Sequence, residues 1–336
     1  MTCSYVSLTT TMIVATARWK GTASMVEQTR SDFDEALMAR VAWLYYNDGL
    51  TQNEVGEILN ISRIKVSRLL DQGRSSGLIQ VRINSRQQGC LELETRMKRE
   101  FGLTDCRVIP ESPVEDVNLR VGQAAAQYLM QKLNFGETIS VGWGETVTHS
   151  IRMLGHTAQE RGIGLYSLTG GVQTYVEGMR EANWHRNVNI IPAPLVVSTP
   201  ELARALMQEP AIAALMARAL EADYKLVGIG GLGESATVVT QGYISAGEID
   251  PLRRGGARGD ILCRFYDRRG QDIGVPLHER VVGVDLDQLR RSERVIGAAG
   301  GPAKTGPILS ALRGEILDIL ITDEPTALAL LDAAEA

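Results

Sequence analysis

The part of this 336-residue sequence that most constrains its fold is Thr51–Ser76, which has the spacing of two short helices joined by a tight turn. Apolar residues in both halves recur three and four positions apart, as they do on the buried face of a helix. These residues are Val55, Ile58 and Leu59 in the first half and Val66, Leu69 and Leu70 in the second. Two such faces, so close in the chain, are expected to pack against each other.

The boundaries of the two predicted helices carry signals of their own. Thr51 and Glu54 match a capping box, in which the two side chains satisfy exposed N–H groups at the start of a helix. Ser62 is suited to cap the second helix. Between the helices, Asn60 tolerates a left-handed backbone. Gly56 indicates a close helix crossing, because glycine otherwise weakens a helix by about 1 kcal/mol relative to alanine.

A polar face lies off the apolar stripe of the second helix, near the end that enters the major groove in helix-turn-helix proteins. Arginine reads guanine with two hydrogen bonds, whereas serine, lysine and N-terminal amides contact phosphates. Asp71 is the one acidic residue between Asn60 and Asn84, so the segment is locally basic. An ordinary helical hairpin with a solvated basic face is the alternative. The predicted DNA-binding residues are Thr51, Gln52, Ser62, Arg63, Lys65, Ser67 and Arg68.

Segments on both sides extend this motif to a winged helix-turn-helix. LIQVRIN, after Gly77, alternates apolar and polar residues as a short β-wing does. We expect residues 31–85 to form the DNA-binding domain, and residues 1–30, rich in Thr and Ser, to be a disordered or misassigned leader. An amphipathic helix upstream is predicted from Leu37, Val41, Leu44 and Tyr45.

Composition limits what the rest of the chain does. A net charge of −5 means that affinity for DNA must come from a local basic patch, and an apolar fraction of 44% suffices for two packed domains. The four cysteines and four histidines lack the spacing of metal ligands or of a disulfide framework. No apolar run reaches the roughly 18 residues of a membrane span. We therefore predict a cytoplasmic protein with no metal, no cofactor and no membrane partner.

The pattern changes after the predicted wing. Residues 86–102 predict a linker helix of mixed charge, and from residue 103 onward short apolar runs alternate with longer amphipathic ones, as in repeated β-α units. The predicted fold class is α/β: the winged helix-turn-helix is followed by a larger doubly wound, mostly parallel, Rossmann-like domain over residues 103–336. Within a β-rich insertion, ARGDILCRFYDRRGQDI, one strand through Ile261, Cys263 and Phe265 is expected to turn at Arg269 and Gly270.

Glycine-rich loops follow four of the predicted strands, and in doubly wound sheets such loops gather at the edge where ligands bind. The first precedes a helix, an arrangement that presents N–H groups to an anion. It contains Gly142, Trp143, Gly144, Glu145 and Thr146. The others contain Thr169, Gly170 and Gly171; Gly230, Gly231 and Gly233; and Gly300, Gly301 and Lys304. We predict a shared pocket, although a single loop of this kind also serves backbone geometry alone.

Lys304 and Asp260 have the clearest candidate roles in that pocket. Lys304 lies between GGP and the following helix, which points to a phosphate or a sugar oxygen as its partner. GGPAKTG lacks the glycine spacing of a P-loop, which disfavours nucleotide binding. Asp260 either accepts hydrogen bonds from ligand hydroxyls or serves as a turn residue after Gly259.

Four segments resemble the SorC family of bacterial sugar-responsive transcriptional regulators, in the family's order and over nearly all of residues 35–335. They are TQNEVGEILNISRIKVSRLL, NIIPAPLVVSTPEL, RGDILCRFYD and AGGPAKTGPILSALRGEILDILITDEPTA. The resemblance implies a homotetramer that binds operator DNA, with a larger domain similar to sugar-phosphate isomerases and deaminases that binds a phosphorylated sugar or polyol. It also implies that the Gly142–Thr146 and Thr169–Gly171 loops hold the phosphate or nearby hydroxyls, while Asp260, Leu262 and Lys304 line the sugar end.

The first glycine loop departs from the phosphate loops of related enzymes, which are often richer in Ser and Thr, because Trp143 and Glu145 occupy it here. A carboxylate beside a phosphate is unfavourable without compensation, and Trp143 suits either stacking on a sugar or filling a core. The sequence predicts a ligand-responsive regulator of a carbohydrate or polyol operon, with no catalytic residue. The alternative is a sugar-phosphate isomerase or deaminase with an appended DNA-binding module. Its candidate acids and bases are Glu145, Asp260, His149 and His185.

Overall fold

The structure, a computed structural model, describes residues 35–75, 78–79, 88–112, 116–172, 175, 184, 187–233 and 236–335. These residues form two compact units, one ending at Gln88 and the other beginning at Gly89. The leader predicted over residues 1–30 and the wing residues from Gln80 to Asn84 lie outside the described residues.

The described residues of the first unit form three helices around a small core. Helix α1 covers residues 35–42 and continues into a π-helical turn at Trp43–Asn47, α2 is Gln52–Leu59, and α3 is Arg63–Ser75. The predicted helix-turn-helix and the amphipathic helix before it are confirmed. The buried core residues are Val41, Val55, Val66, Leu69 and Leu70, and Leu37, Leu44, Tyr45, Leu59 and Ile79 pack around them.

Both helices of the motif begin with the predicted caps. The Thr51 hydroxyl accepts a hydrogen bond from the Glu54 amide at 3.3 Å, and the Glu54 carboxylate accepts one from the Thr51 amide at 2.7 Å. At the start of α3, the Ser62 hydroxyl accepts a hydrogen bond from the Lys65 amide at 3.2 Å. The capping box and the second cap therefore fix where each helix begins.

The turn between α2 and α3 depends on two residues with unusual freedom. Asn60 ends α2 in the left-handed region, with φ 52° and ψ 46°. A Cβ on Gly56 would lie 2.7 Å from the carbonyl oxygen of Ile61, so only glycine lets the chain pass this close. Because the packing is centred on Val55 and Gly56, Ile58 faces away from it and is 58% exposed. Its predicted place on the buried face was wrong.

The second unit is an α/β domain built on a seven-stranded sheet in which all neighbouring strands are parallel, as predicted. The strands of this sheet are β1 Asp105–Ile109, β2 Thr138–Val141, β3 Gly164–Ser167, β4 Val188–Asn189, β5 Tyr224–Gly228, β8 Val295–Ala298 and β9 Ile319–Asp323. The helices are α4 Gln88–Phe101, α5 Val117–Lys132, α6 Glu145–Glu160, α7 Pro200–Gln208, α8 Pro210–Glu221, α9 Thr237–Thr240, α10 Ala246–Arg254, α11 Leu286–Arg290, α12 Thr305–Arg313 and α13 Glu324–Glu335. Short 3-10 turns lie at Pro276–Arg280 and Pro302–Lys304.

The order of strands across the sheet shows where the chain reverses direction. The order is β1-β9-β8-β5-β2-β3-β4. From β2 the chain builds outward through β3 and β4, then returns to β5 beside β2 and continues the other way through β8 and β9. Right-handed crossovers in opposite directions place their connections on opposite faces, so the sheet is doubly wound. A crevice at the carboxyl ends of β2 and β5 follows from this reversal.

The insertion before β8 differs from the prediction. Strands β6 Gly259–Ile261 and β7 Arg264–Tyr266 form an antiparallel hairpin whose turn consists of Leu262 and Cys263. These two residues have φ values of 57° and 63°, as the central residues of a type I′ turn do. The single strand predicted through Ile261, Cys263 and Phe265 was wrong because neither leucine nor cysteine signals a left-handed turn. The turn predicted at Arg269 and Gly270 is present: Gly270 has a φ of 71°, and its amide donates a hydrogen bond to the Asp267 carbonyl oxygen at 3.0 Å.

Helix α4 is part of the core of the second unit. Cys90, Leu93 and Met97 are buried in the same core as the sheet. The Glu94 carboxylate also accepts a hydrogen bond from the Val108 amide in β1, at 3.0 Å. The helix expected to link the two domains therefore packs firmly on the sheet of the larger one.

Candidate functional site

A pocket lies at the reversal point of the sheet, beyond the carboxyl ends of β2, β5 and β8. It brings together the loop after β2, the end of β5, the tip of the β6-β7 hairpin and the 3-10 turn before α12. The residues that line it are Asn118, Trp143, Gly144, Glu145, Thr146, Gly228, Ile229, Gly230, Thr237, Asp260, Leu262, Ala299 and Lys304. Most of the predicted effector-binding residues therefore share one pocket.

Asp260 contributes a buried carboxylate to this pocket. Its Oδ1 has no hydrogen-bond partner within the part of the chain that the structure describes. The residue lies in β6 and not in a turn, because its backbone N–H and C=O pair with those of Gly230 at 3.2 and 2.8 Å. Burial raises the pKa of Asp260 to about 6, and the nearby Lys304 ammonium works in the opposite direction. The pocket lining thus contains a buried acceptor atom with no partner among the described residues.

Lys304 lines the same pocket from the 3-10 turn that follows β8. Its Nζ donates a hydrogen bond to the carbonyl oxygen of Ile229 at 2.8 Å. Desolvation lowers the pKa of Lys304, whereas the negative charges of Asp260 and Glu145 raise it. An ammonium group has three donors, so one bond to a carbonyl leaves others for a ligand.

Helix α6 begins at the pocket with no side chain capping it. Gly144, just before the helix, has a φ of 120°, which favours glycine. The first N–H groups of α6 therefore face the pocket without a side-chain acceptor. Asn118 holds this loop in place: its Nδ2 donates to the Glu145 carboxylate at 2.9 Å, and its Oδ1 accepts from the Thr146 hydroxyl at 3.2 Å.

Trp143 and Leu262 form the apolar wall of the pocket. Trp143 is 8% exposed and packs edge-to-face on Tyr243, with the ring centroids 5.1 Å apart. A Cβ on Gly142 would lie 2.8 Å from Cδ2 of Leu262 at the hairpin tip. Gly142 is therefore required by this packing and does not line the pocket, while Trp143 serves mainly as a wall residue.

The loop of Thr169, Gly170 and Gly171 lies outside the lining of the pocket. The Thr169 side chain is buried, and its Oγ1 is 2.8 Å from the Tyr175 hydroxyl. A Cβ on Gly170 would lie 2.5 Å from the carbonyl oxygen of Pro194. This glycine loop is therefore explained by close backbone packing, and the structure does not bring it to the predicted effector residues.

Several lining residues escaped the sequence analysis, namely Asn118, Gly228, Ile229, Thr237 and Ala299. Ile229 contributes its backbone carbonyl oxygen. Every residue has such an oxygen, so no residue type in the sequence predicts this contact. Asn118 lies at the start of a helix that no glycine loop precedes, so nothing nearby in the sequence marks it. Gly228 could have been predicted, because it begins the glycine-rich run GIGGLG at the last residue of β5.

The predicted DNA-binding residues lie around the starts of α2 and α3. Thr51 and Ser62 are exposed, but their hydroxyls also serve as the helix caps. Gln52 and Ser67 are half-buried. The cationic side chains of Arg63, Lys65 and Arg68 are exposed along α3. The structure therefore places the basic residues together on the accessible side of the second helix.

His278 is a titratable group outside the pocket that has structural partners. The His278 side chain is buried, and its Nδ1 lies 2.8 Å from the Asp272 carboxylate. Its Nε2 accepts a hydrogen bond from the Phe265 amide at 2.8 Å, which holds β7 of the hairpin in place. Among the described residues, no group of three or more His, Cys, Asp and Glu is placed to bind a metal ion. In that same part of the chain, no helix is long and apolar enough to cross a membrane.

Two family models match this chain. The family described as "Putative sugar-binding domain" matches residues 85–332, which include the sheet and the whole pocket. The family "Sigma-70, region 4" matches residues 40–76, which include α2 and α3. The two matches coincide with the two units of the structure.

Relatives of nearly full length are transcriptional regulators. A "Transcriptional regulator LsrR" from Enterobacter sp. (strain 638) is 42% identical over 304 residues, which is 90% of this chain and 94% of the relative. Its counterpart from Escherichia coli (strain K12) is 40% identical over 301 residues, 89% of this chain and 95% of the relative. The full-length sorbitol operon regulator SorC from Klebsiella pneumoniae has a similar structure, with a TM-score of 0.63 and 27% identity over 89% of this chain and 99% of that chain. A helix-turn-helix joined to a pocketed, doubly wound domain, matched by these relatives along almost its entire length, makes the chain a member of the SorC family of sugar-binding transcriptional regulators.

Proposed function

We propose that a sugar, sugar phosphate or polyol binds in the pocket at the sheet reversal and changes the affinity of the helix-turn-helix for operator DNA. The observation that carries this proposal is the pairing of Asp260 and Lys304 across one pocket. A buried carboxylate oxygen with no partner, facing an ammonium with spare donors, is costly unless a polar ligand completes it. A hydroxyl group supplies both a donor for the carboxylate and an acceptor for the ammonium.

The pocket offers complementary groups for such an effector. Asp260 accepts hydrogen bonds from hydroxyls, and Lys304 with the first amides of α6 donates to hydroxyl or phosphate oxygens. Glu145 repels a phosphate, but its carboxylate is held by Asn118 and lies near the Lys304 ammonium, and both contacts offset that repulsion. The loop is thus compatible with a phosphorylated effector, and we propose this form ahead of the free sugar.

We propose that the pocket binds its ligand without transforming it. Of the enzyme candidates, His149 is half-buried on α6 and does not line the pocket, and His185 lies outside the described residues. Asp260 and Glu145 remain as acids or bases beside Lys304. A sugar-phosphate isomerase or deaminase activity is the alternative, and turnover of common sugar phosphates by the purified protein would establish it.

We propose that the active form is a cytoplasmic homotetramer. The basic face of α3 carries few cations and the whole chain has a net charge of −5, so one copy binds DNA weakly at cellular salt concentrations. Several copies held together raise the effective concentration of recognition helices at an operator with repeated half-sites. Analytical ultracentrifugation of the full chain, with and without DNA, tests this assembly.

The decisive experiment is a thermal-shift screen of the full-length protein against sugars, polyols and their phosphates. A ligand that binds only the folded state raises the apparent melting temperature, by an amount that grows with its concentration. Each hit is then titrated into a complex of the protein with a duplex that it has selected from a random library. A hit that alters DNA affinity supports the proposal. Hits that stabilise the protein without changing DNA affinity would contradict it.

A further inference from the structure

An isoleucine stands out among the charged residues of α3. Ile64 is 77% exposed, the most exposed isoleucine among the described residues, and it lies between Arg63 and Lys65. We propose that Ile64 is a specificity-determining residue that packs against the 5-methyl group of a thymine in the operator. This inference rests on the proposed role of the basic face of α3 in DNA binding.

The position of Ile64 on the helix excludes a role in the core of the first unit. At about 100° per residue, Ile64 points roughly 160° away from Val66, which is fully buried against α2. Arg68 follows four residues later and therefore lies on the same outer face. Ile64 is also the second residue after the Ser62 cap, in the turn that projects deepest into a major groove when a recognition helix docks.

The chemistry of the major groove explains why an apolar side chain belongs there. Phosphates offer hydrogen-bond acceptors, base edges offer donors and acceptors, and the thymine methyl is the apolar group exposed in the groove. Arg63, Lys65 and Arg68 supply the charge that holds the helix to the phosphates. An isoleucine among them does not contribute to that electrostatic attraction. Moving its apolar side chain out of water and into contact with a methyl group is favourable. Its contribution is therefore to discriminate thymine from the other bases.

Uracil is the probe that isolates this contact, because it pairs as thymine does but lacks the methyl group. The full-length protein first selects a high-affinity duplex from a random library. Each thymine of that duplex is then replaced singly by deoxyuridine, and affinity is measured by fluorescence anisotropy. Burial of one methyl corresponds to about a four-fold change in affinity for each half-site. We expect one thymine per half-site at which the wild-type protein shows this loss.

Variants complete the test as a double-mutant cycle. Ile64→Ala should bind the thymine and deoxyuridine duplexes equally well, and both about as weakly as the wild type binds the deoxyuridine duplex. Ile58→Ala is the matched control, an exposed isoleucine on α2 whose loss should leave the thymine preference intact. Arg68→Ala should weaken binding to both duplexes while keeping the preference.

The outcomes separate this inference from the proposed DNA-binding face. If Arg68→Ala weakens binding but every thymine replacement affects the wild type and Ile64→Ala equally, the thymine contact is refuted and the face stands. A selected duplex whose half-sites contain no thymine would also refute the thymine contact while leaving the DNA-binding face intact. If neither Arg63→Ala nor Arg68→Ala changes binding, the recognition face itself is wrong.

Discussion

The carboxylate of Asp260 occupies the space that a side chain at position 230 would need. A Cβ on Gly230 would lie 1.7 Å from Oδ1 of Asp260, and the two residues also exchange both backbone hydrogen bonds. The chain just after β5 and the first strand of the hairpin are thus hydrogen-bonded at Asp260, the residue whose Oδ1 has no partner among the described residues. The orientation of Asp260 depends on glycine at position 230.

We expect Gly230→Ala to abolish the response to effector while leaving DNA binding intact. The methyl group must displace the Asp260 carboxylate, since no real Cβ contact is as short as 1.7 Å. The measurement is the effector-induced change in operator affinity, with circular dichroism to verify the fold. Gly306→Ala in α12 is the control, because its Cβ would meet no atom within 4 Å and Gly306 does not line the pocket. An unaltered response in Gly230→Ala would show that the carboxylate is not needed there.

Asp260→Asn should stabilise the ligand-free protein at neutral pH but not in acid. Burial raises the pKa of Asp260 to about 6, above the roughly 3.9 of an unfolded aspartate. The folded chain therefore holds this proton more tightly, so its free energy of unfolding falls as the pH rises from about 4 to about 6. Asparagine does not ionise, so the variant avoids this fall in the free energy of unfolding. The fall amounts to about 3 kcal/mol once Asp260 is fully ionised.

Urea unfolding of wild type and Asp260→Asn at about pH 4.5 and about pH 7.5 measures this difference. The free energy of unfolding of the variant should exceed that of wild type mainly at the higher pH. The variant should fail to respond to effector at both pH values. A stability difference that is the same at both pH values would mean that the buried carboxylate does not titrate in this range.

Lys304→Met should weaken effector binding by about 10- to 150-fold, because a charge-assisted hydrogen bond is worth roughly 1.5 to 3 kcal/mol. Operator affinity without effector should be unchanged, since the substitution keeps the aliphatic stem and lies in the second unit. Isothermal titration with a hit from the thermal-shift screen gives the binding constant. Lys98→Met, a half-buried lysine on α4 that does not line the pocket, is the control for loss of one positive charge. Equal weakening in both variants would argue against a direct contact by Lys304.

Arg63→Ala and Arg68→Ala should each weaken specific DNA binding by about 1 to 3 kcal/mol if the arginine reads a base. An arginine that contacts only phosphate should instead lower affinity for all sequences and reduce the salt dependence by about one charge. Anisotropy titrations at several salt concentrations, on selected and scrambled duplexes, distinguish the two roles. Arg218→Ala, an exposed arginine on α8, changes the net charge equally and should leave binding unchanged.

Gly56→Ala should destabilise the first unit, although alanine normally favours a helix by about 1 kcal/mol. The added Cβ would meet the Ile61 carbonyl oxygen at 2.7 Å and push the turn away from α2, at a cost of about 1 to 3 kcal/mol. Thermal unfolding followed by circular dichroism reports the change. Gly247→Ala in α10 has open space, with Ser245 Oγ at 3.9 Å, and should stabilise slightly. A stabilising effect at both positions would contradict the close turn.

The elements that the sequence predicted well are those whose signals are local. Thr51, Glu54 and Ser62 act on amides within three residues, and Asn60 takes a backbone conformation that its own side chain favours. The parallel strands were likewise predictable, because strands buried on both faces form short continuous apolar runs. The hairpin turn at Leu262 and Cys263 was missed, since it is imposed by packing around it and not by residue type.

The pocket was partly predictable because a doubly wound sheet collects the loops after its strands at one edge. That rule, however, does not say which loop reaches the reversal point. The Thr169 loop follows β3, one strand away from the reversal, and packs on Pro194 instead. Asn118 and the Ile229 carbonyl belong to the site only through the tertiary fold, so no pattern along the chain marks them.

The strand order also has a consequence for synthesis of the protein. β9 is translated after every other described strand of the sheet, yet it lies inside the sheet between β1 and β8, and Lys304 is translated only shortly before it. The helix-turn-helix, by contrast, is translated before any of these strands. A chain that stops early, through a premature stop codon or proteolysis, therefore contains the recognition helices but neither a finished sheet nor the ammonium of the pocket. Such fragments lack the second unit that would hold several recognition helices together, and a single copy binds DNA weakly, so truncating mutations in this gene are expected to be recessive.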